Sequence, residues 1–315
     1  MNEGALREMR LTAMPPVAEG TTLFAFRALD GGELPGIEPG AHIDLHLPTG
    51  MVRQYSLVID DDDRRKYVVA IKKDRESRGG SRLLHEEIGV GTVLRVGGPR
   101  NLFPLVDDAS HTVFVAGGIG ITPIWSMVRK LEQLGRTYEL HYACRPRGEM
   151  AFYSSLSARP GVHLHIDEER GGLLDVPSIC SNAPADAHLY CCGPGPLLAN
   201  FEAATSGRPA DRIHVEYFGA RQKPTVESGF EVELFQSKQV VKVNPGQTIL
   251  DALRRAGISV AVSCEQGVCG SCETTVIEGV PDHRCEVLSE TDRDAGNTMM
   301  ICCSGAKSSR LVLDI

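Results

Sequence analysis

Cys264-Glu-Gln-Gly-Val-Cys269-Gly-Ser-Cys272 places three thiols in one short segment near the end of the chain, and a further thiol follows at Cys302. This C-x4-C-x2-C…C spacing is that of plant-type [2Fe–2S] ligands, which are thiolates because the cluster iron prefers soft sulfur donors. Gly267 and Gly270 allow the sharp turns that wrapping a cluster requires. The spacing therefore predicts a [2Fe–2S] site. Zinc is the main alternative, although zinc sites of this kind usually pair two C-x2-C segments and this chain has one.

The bulk composition is that of an ordinary globular protein. The 315 residues allow two or three domains, and 42% are hydrophobic and 23% charged. The sequence contains no apolar run long enough to cross a bilayer and no signal peptide at its start. A net charge of −8 argues against nucleic acid as a partner. Ten cysteines could suggest disulfides, but the iron–sulfur motif and the lack of an export signal indicate a protein of the reducing cytoplasm. We expect no membrane association.

Short alternating strands dominate residues 1–105. Ile43, Leu45 and Leu47 alternate with polar positions, residues 66–73 and 92–96 show similar patterns, and Pro and Gly lie between them. Alternation of this kind predicts a small antiparallel β-barrel domain.

Residues 106–220 have a different pattern. A buried strand at 113–116 leads into Gly117-Gly118-Ile119-Gly120-Ile121-Thr122-Pro123, and a helix is predicted with Thr122 as N-cap, Pro123 at its first position and Gly135 past its end. Further strands at 138–143, 162–166 and 188–192 alternate with helices. The segment is predicted to be an α/β domain with a parallel sheet.

A polar linker is predicted at 221–229, and a third domain at 230–315. Residues 230–235 and 239–243 form a predicted hairpin, and Thr248-Ile-Leu-Asp251 resembles a capping box that opens a short helix. With the cysteine loop, these elements predict a compact α+β domain of the ferredoxin-like, β-grasp kind.

The glycine loop after residues 113–116 suits a pyrophosphate, because small residues let the backbone approach and a helix N-terminus offers free N–H groups. A tight packing turn between strand and helix is the alternative. Cys191-Cys192-Gly193-Pro194 ends a second strand, and the carboxyl ends of parallel strands meet in the crevice where open α/β sheets bind ligands.

The barrel segment offers a candidate flavin site. Arg53-Gln-Tyr55-Ser56-Leu57 combines an aromatic ring, a cation and backbone donors, and Arg78-Gly79-Gly80-Ser81 offers backbone N–H groups and a cation to a phosphate. An ordinary strand and a solvated turn are the alternatives.

The order of these motifs resembles the phthalate dioxygenase reductase family, which includes the vanillate O-demethylase reductases. Arg-x-Tyr-Ser-Leu is followed by Gly-Gly-Ile-Gly-Ile-Thr-Pro, by Cys-Gly-Pro and by a C-terminal plant-type ferredoxin, so the resemblance spans essentially the whole chain. It implies an oxidoreductase with FMN, NADH and [2Fe–2S] as cofactors. The implied FMN residues are Arg53, Tyr55, Ser56, Leu57, Ile71, Lys72, Gly79, Gly80, Ser81, Thr122 and Phe218.

The same resemblance implies that Gly118, Gly120 and Pro123 shape the NADH pyrophosphate loop and that Cys192 lies near the nicotinamide. The implied cluster ligands are Cys264, Cys269, Cys272 and Cys302.

Two departures from the family pattern affect these assignments. The first is Cys303, which stands beside Cys302. The family's Ser-x-Ala motif, matched here by Ser304 and Ala306, implies that Cys302 is the ligand, and Gly305 stands where relatives have Arg. Arg145 and Arg147 follow a strand that normally carries ribose selectivity, and two guanidiniums there could accept the 2′-phosphate of NADPH.

Other candidate residues carry weaker signals. His163 and His165 share one face of a strand and could chelate a metal, and a solvated strand face is the alternative. His283 and Cys285 form a similar pair without a completing carboxylate. Cys144, Cys180 and Cys191 are interpreted as small apolar residues in strands or at a helix end.

The resemblance implies electron transfer from NADH through FMN to [2Fe–2S], and then to a Rieske-type terminal oxygenase acting on an aromatic acid or similar small molecule. The cofactors carry this chemistry, so no protein acid or base is assigned as catalytic. The alternatives are a reductase for a diiron or haem oxygenase and a non-catalytic redox or metal-binding scaffold.

Overall fold

The computed structural model describes residues 6–58, 63–74, 79–218, 229–262 and 264–315. Contacts divide the chain into two compact units, Met1–Glu216 and Tyr217–Ile315. The predicted linker at 221–229 lies outside the described residues except for Gly229. The described residues include no helix that is both long enough and apolar enough to span a membrane.

An antiparallel barrel forms the first part of the Met1–Glu216 unit. Its strands pair in the order β3-β1-β7-β4-β5, with β6 beside β3 and β8 beside β4, and a bridge from Leu57 to Val69 joins the end of β5 to β6. Alternate side chains such as Phe24, Phe26 and Ile43 are fully buried inside it. The predicted barrel is confirmed. Its elements are β1 (Arg7–Ala13), β2 (Pro16–Ala18), β3 (Thr21–Ala28), β4 (Ala41–His46), β5 (Val52–Ser56), β6 (Lys66–Lys72), α1 (Gly80–Glu86), β7 (Val93–Val96) and β8 (Arg100–Asn101).

A five-stranded parallel sheet follows, in the order β11-β10-β9-β12-β13. Every residue of β9 is buried, as expected for a parallel strand covered on both faces. The strand order reverses between β9 and β12, so the chain's ligand crevice is expected at their carboxyl ends. The elements are β9 (Thr112–Gly117), α2 (Ile121–Gln133), β10 (Tyr138–Cys144), α3 (Tyr153–Leu156), β11 (Val162–Ile166), α4 (Asp167–Arg170), α5 (Val176–Asn182), β12 (His188–Cys192), α6 (Gly195–Thr205) and β13 (Ile213–Glu216).

The barrel and the parallel sheet share one apolar core. Val68 and Phe103 of the barrel segment pack in the same buried cluster as Phe114 and Trp125 of the sheet segment. The Ser126 hydroxyl donates a buried hydrogen bond of 2.8 Å to the Leu57 carbonyl across this boundary. The barrel and the parallel sheet therefore pack within one compact unit that ends at Glu216, and the separation of 1–105 from 106–220 as two domains stays a prediction.

The second unit is a mixed sheet with one packed helix. The strands lie in the order β15-β14-β20-β16-β18, β14 and β15 form the predicted antiparallel hairpin, and β14 pairs in parallel with β20. Thr248 and Asp251 form the predicted capping box at the start of α7. This architecture confirms the predicted α+β ferredoxin domain. Its elements are β14 (Phe230–Leu234), β15 (Val240–Val243), α7 (Ile249–Arg255), β16 (Glu273–Glu278), β17 (Pro281–Asp282), α8 (Glu290–Ala295), β18 (Thr298–Met300), β19 (Gly305–Ala306) and β20 (Arg310–Leu313).

The start of α2 differs from the prediction. A 3₁₀ turn at Gly118–Gly120 runs directly into the helix, so Gly120 takes the capping position and Thr122 lies inside the first turn. The Thr122 hydroxyl donates to the Ile119 carbonyl at 3.0 Å and does not accept from a free N–H group of the helix start. The assignment of Thr122 as N-cap with Pro123 at the first position was wrong, because the glycines continue the chain into the helix without an extended residue. Gly135 does end the helix, with φ +64°.

Candidate functional site

The four predicted cluster ligands come together in the second unit. The Cys264 thiol is in hydrogen-bonding contact with the thiols of Cys269 and Cys302, and the Cys302 thiol also contacts that of Cys272. Gly267 and Gly270 have φ values of +71° and +78°, so both turns of the loop use the left-handed region that glycine adopts without strain.

The electrostatics of this thiol group suit a metal cluster. Hydrogen bonds from the thiols of Cys269 and Cys302 lower the pKa of Cys264, and a hydrogen bond from Cys302 lowers the pKa of Cys272. The same hydrogen bonds raise the pKa of Cys269 and Cys302. The Gln266 amide donates to the Cys264 sulfur at 3.2 Å, and such bonds favour a thiolate. Four soft donors held this close fit a [2Fe–2S] cluster.

Cys303 lies behind the loop. Its thiol is 3.8 Å from the Met300 carbonyl and 3.9 Å from the Ser304 hydroxyl, and it contacts the Cys302 thiol. A Cβ on Gly267 would lie 2.5 Å from the Cys303 sulfur, which shows how closely this side chain fills the space behind the turn. Cys302 thus contacts two of the other three thiols and Cys303 contacts Cys302 from behind the turn, and Cys302 as the fourth ligand stays a prediction.

Two glycine loops meet at the carboxyl ends of β9 and β12. A Cβ on Gly120 would lie 2.2 Å from the Cys192 carbonyl oxygen, and one on Gly193 would lie 3.0 Å from the Gly117 nitrogen. Only glycines allow this approach of backbone to backbone. Gly118, with φ +52° and open space where a Cβ would project, leaves room for a ligand above the loop. The geometry fits a pyrophosphate at the switch point of the sheet.

An acid pair lies at the same crevice, formed by the fully buried Cys192 and the half-buried Glu216. The Cys192 thiol and a Glu216 carboxylate oxygen are 3.8 Å apart at the adjacent ends of β12 and β13. Burial raises the pKa of Glu216 to about 8, and burial together with the Glu216 carboxyl group raises the pKa of the Cys192 thiol. Both groups are therefore neutral at pH 7. Glu216 was given no role from the sequence, because the burial of a strand end depends on the neighbouring loops.

Two groups of the predicted flavin residues, on β5 and at the start of α1, lie next to each other. Arg53 and Tyr55 lie on β5, and a Cβ on Gly80 would lie 2.8 Å from the Arg53 Nε atom. Gly79, at φ +100°, opens α1, whose first residues are Gly80 and Ser81. Burial raises the pKa of Tyr55 to about 12. The start of a helix next to a guanidinium suits a phosphate, and a neutral half-buried phenol on the same strand as that guanidinium suits an aromatic ring system.

Other predicted flavin residues have partners within the protein. The Ile71 carbonyl is 2.9 Å from His85 Nε2, and Lys72 Nζ forms an ion pair of 2.7 Å with Glu149. Ser56 and Leu57 are buried at the end of β5, and Ser81 accepts from the Asp74 amide at 3.1 Å. Phe218 belongs to the second unit and is 39% exposed, and Arg78 lies outside the described residues.

Arg147 is held by an acidic partner. Its guanidinium forms two bonds with the Glu169 carboxylate, at 2.6 and 2.8 Å, and its Cζ lies 4.8 Å from the ring centroid of Tyr153. A guanidinium already paired in this bidentate manner has less capacity for a 2′-phosphate. Glu169 is distant in sequence, so the motif Arg145-Pro-Arg147 gave no sign of this pairing.

Comparisons with known proteins agree with these sites. Residues 232–307 match the family model described as "2Fe-2S iron-sulfur cluster binding domain". The solved structure of phthalate dioxygenase reductase, titled as a modular structure for electron transfer from pyridine nucleotides to [2Fe–2S], matches with a TM-score of 0.79 and 35% identity, over 99% of this chain and 98% of that chain.

The chain belongs to the phthalate dioxygenase reductase family. It is 48% identical to phenoxybenzoate dioxygenase subunit beta of Ectopseudomonas oleovorans over 98% of this chain and 97% of that protein. It is 39% identical to the vanillate O-demethylase oxidoreductase of a Pseudomonas species over 98% of this chain and 99% of that protein. As a member of this family, the chain is an oxidoreductase.

Proposed function

We propose that this chain takes electrons from NADH and passes them through FMN and a [2Fe–2S] cluster to a Rieske-type terminal oxygenase that acts on an aromatic acid or similar small molecule. The observation that carries the proposal is the convergence of the four thiols of Cys264, Cys269, Cys272 and Cys302 in the second unit. The glycine crevice and the cation-flanked Tyr55 of the first unit supply complementary sites for a nucleotide and a flavin.

When bound, the flavin and the cluster supply hydride acceptance and single-electron transfer, and the protein supplies position and environment. Gly118 and Gly120 would let the backbone approach the NADH pyrophosphate at the start of α2. The neutral Cys192 and Glu216 would bound the nicotinamide end without adding a fixed charge. Arg53 and the start of α1 would hold the FMN phosphate, with Tyr55 against the ring.

The cysteines also support a cellular location. Within the described part of the chain, all ten cysteines are free thiols. Free thiols and a cluster built on them are stable in a reducing compartment, so we propose that the protein works in the cytoplasm.

Paired serine variants test the cluster assignment. Cys302→Ser should abolish the electron paramagnetic resonance signal of the dithionite-reduced cluster, because it removes a thiol that contacts two others of the group. Cys303→Ser is the matched control and should keep the signal, since its thiol faces Met300 and Ser304. A normal signal from Cys302→Ser, or its loss in Cys303→Ser alone, would show that the fourth ligand is misassigned.

The acceptor is tested by reconstitution with purified oxygenases. The proposal expects NADH-dependent turnover with a Rieske-type enzyme. Turnover with a diiron or haem oxygenase instead would establish the alternative acceptor, and an absence of NADH oxidation with any acceptor would favour a non-catalytic scaffold.

A further inference from the structure

A group of histidines with one glutamate lies on the parallel sheet, away from the nucleotide crevice. Glu139 and His141 are two residues apart on β10 and so share a face, and His141 pairs in register with His163 on β11. Glu139 and His163 are the second residues of their strands and His141 lies at the middle of β10, whereas the glycine loops follow the carboxyl ends of β9 and β12. No part of the electron path uses these side chains.

The three side chains present ligand atoms to one point. One atom from each of Glu139, His141 and His163 lies within 4.8 Å of the other two. The two imidazole rings stack with centroids 4.8 Å apart and planes inclined by 19°. The contact from His141 Nε2 to the Glu139 carboxylate is 3.5 Å, at the outer limit of a hydrogen bond. The hydrogen bond between Glu139 and His141 is therefore weak.

His111 extends the group. Its Nε2 atom lies 3.8 Å from the other Glu139 oxygen and, in the described part of the chain, is buried without a hydrogen-bond partner. Its Nδ1 atom is fixed 3.0 Å from the Thr137 hydroxyl. A buried nitrogen aimed at the carboxylate can orient that carboxylate once it binds a cation, as partners of metal ligands do.

We propose that Glu139, His141 and His163 bind a divalent metal ion of the zinc class. Two imidazoles and a carboxylate are an established zinc ligand set, and they leave further positions to water. Tetrahedral zinc at ~2.0 Å from each nitrogen places its ligand atoms roughly 3.3 Å apart, so the side chains must close by about 1.5 Å at most. His163 is exposed and can rotate to do so.

The three side chains line a cleft on this face of the sheet. The remaining positions of the ion would face a cleft of about 570 Å³, which Leu173, Leu174 and Ile179 also line and which has room for water.

A bound metal ion would link the first two strands of the sheet. β11 is one of the two edge strands, and it pairs only with β10 in this sheet as described. A metal held by His163 on one strand and by Glu139 and His141 on the other would tie that edge in place. Binding to the folded state alone stabilises it by mass action.

Zinc binding by the complete protein, with flavin and cluster bound, tests this. After dialysis against micromolar zinc, metal analysis should find one zinc ion per chain, and X-ray absorption at the zinc edge should show only nitrogen and oxygen neighbours at about 2.0 Å. His163→Gln and the double variant with His141→Gln should each lower bound zinc at least tenfold.

His188→Gln is the matched control. His188 and His214 form another stacked pair, 5.3 Å between centroids, on the opposite face of the sheet and joined by a 3.0 Å hydrogen bond, so its loss should leave zinc binding unchanged. Flavin and cluster absorbance checks folding, and the exposed His163 variant alone suffices if His141→Gln does not fold. A sulfur shell at about 2.3 Å, undiminished zinc in the variants, or no zinc in the wild type would each overturn the proposal.

Discussion

Replacing Glu216 with Gln should change how the stability of the first unit depends on pH. Burial raises the pKa of this carboxyl group from 4.5 to about 8. Because the folded protein then holds the proton more tightly than the unfolded chain, the group's contribution to stability is complete below pH 4.5 and is lost as the pH rises through 8. Glutamine keeps the shape and does not titrate.

The magnitude follows from the shift in pKa. At 1.36 kcal/mol per pKa unit, the full shift corresponds to about 5 kcal/mol, and roughly 2.5 kcal/mol of it falls between pH 6 and pH 8.5. Over that range, the free energy of unfolding of the wild type should fall by about this amount relative to Glu216→Gln. Groups that titrate in both proteins cancel in the difference.

Urea unfolding followed by tryptophan fluorescence measures this difference. Trp125 is the chain's single tryptophan and is buried in α2 of the first unit, so its emission reports that unit specifically. Glu168→Gln, which changes an exposed carboxylate, is the control and should follow the wild type. If the unfolding free energies of wild type and Glu216→Gln run parallel from pH 6 to pH 8.5, the pKa of Glu216 is not raised in the folded protein.

Three further predictions concern the cofactor sites. Gly120→Ala should lower kcat/KM for NADH by ~100-fold, because its Cβ would meet the Cys192 carbonyl. Gly172→Ala, where a Cβ would project into open space, should leave kcat/KM unchanged. Equal steady-state rates for the two variants would show that NADH does not bind at this crevice. Glu169→Gln should release Arg147 and raise the ratio of kcat/KM for NADPH to that for NADH by ~10-fold. Adding Arg147→Gln should cancel this effect. An unchanged ratio in Glu169→Gln would mean that Arg147 is not near the 2′ position of the bound nucleotide. Flavin released by acid should chromatograph as FMN, and a stoichiometric FAD peak would refute the assignment.

Local sequence features predicted much of the cluster loop and the barrel. The spacing of Cys264, Cys269 and Cys272 follows directly from the coordination that a cluster needs, and Gly267 and Gly270 do have the positive φ that wrapping requires. Period-two alternation identified the barrel strands because each strand has one buried face. The capping box at Thr248 was likewise visible because its residues are neighbours in sequence.

Features that depend on distant residues were not predictable. The pairs Lys72–Glu149 and Arg147–Glu169 join different elements, so neither partner marks the other in the sequence. Gly120 was expected only to shape a loop, yet it approaches the Cys192 backbone and also takes the capping position of α2, so that Thr122 lies inside the first turn. The histidine group on β10 and β11 needed the register of two strands to become visible.

Electrons from the pyridine nucleotide should reach the cluster of the same chain. The most direct test of this transfer is an anaerobic NADH titration of the complete protein at low protein concentration, with flavin absorbance and the electron paramagnetic resonance of the reduced cluster measured together. The cluster signal of the wild type should grow as NADH is added, and its rate of appearance should be independent of protein concentration. The Cys302→Ser variant should show bleaching of the flavin without a cluster signal. A wild-type flavin that bleaches while the cluster stays oxidised would show that this transfer does not occur.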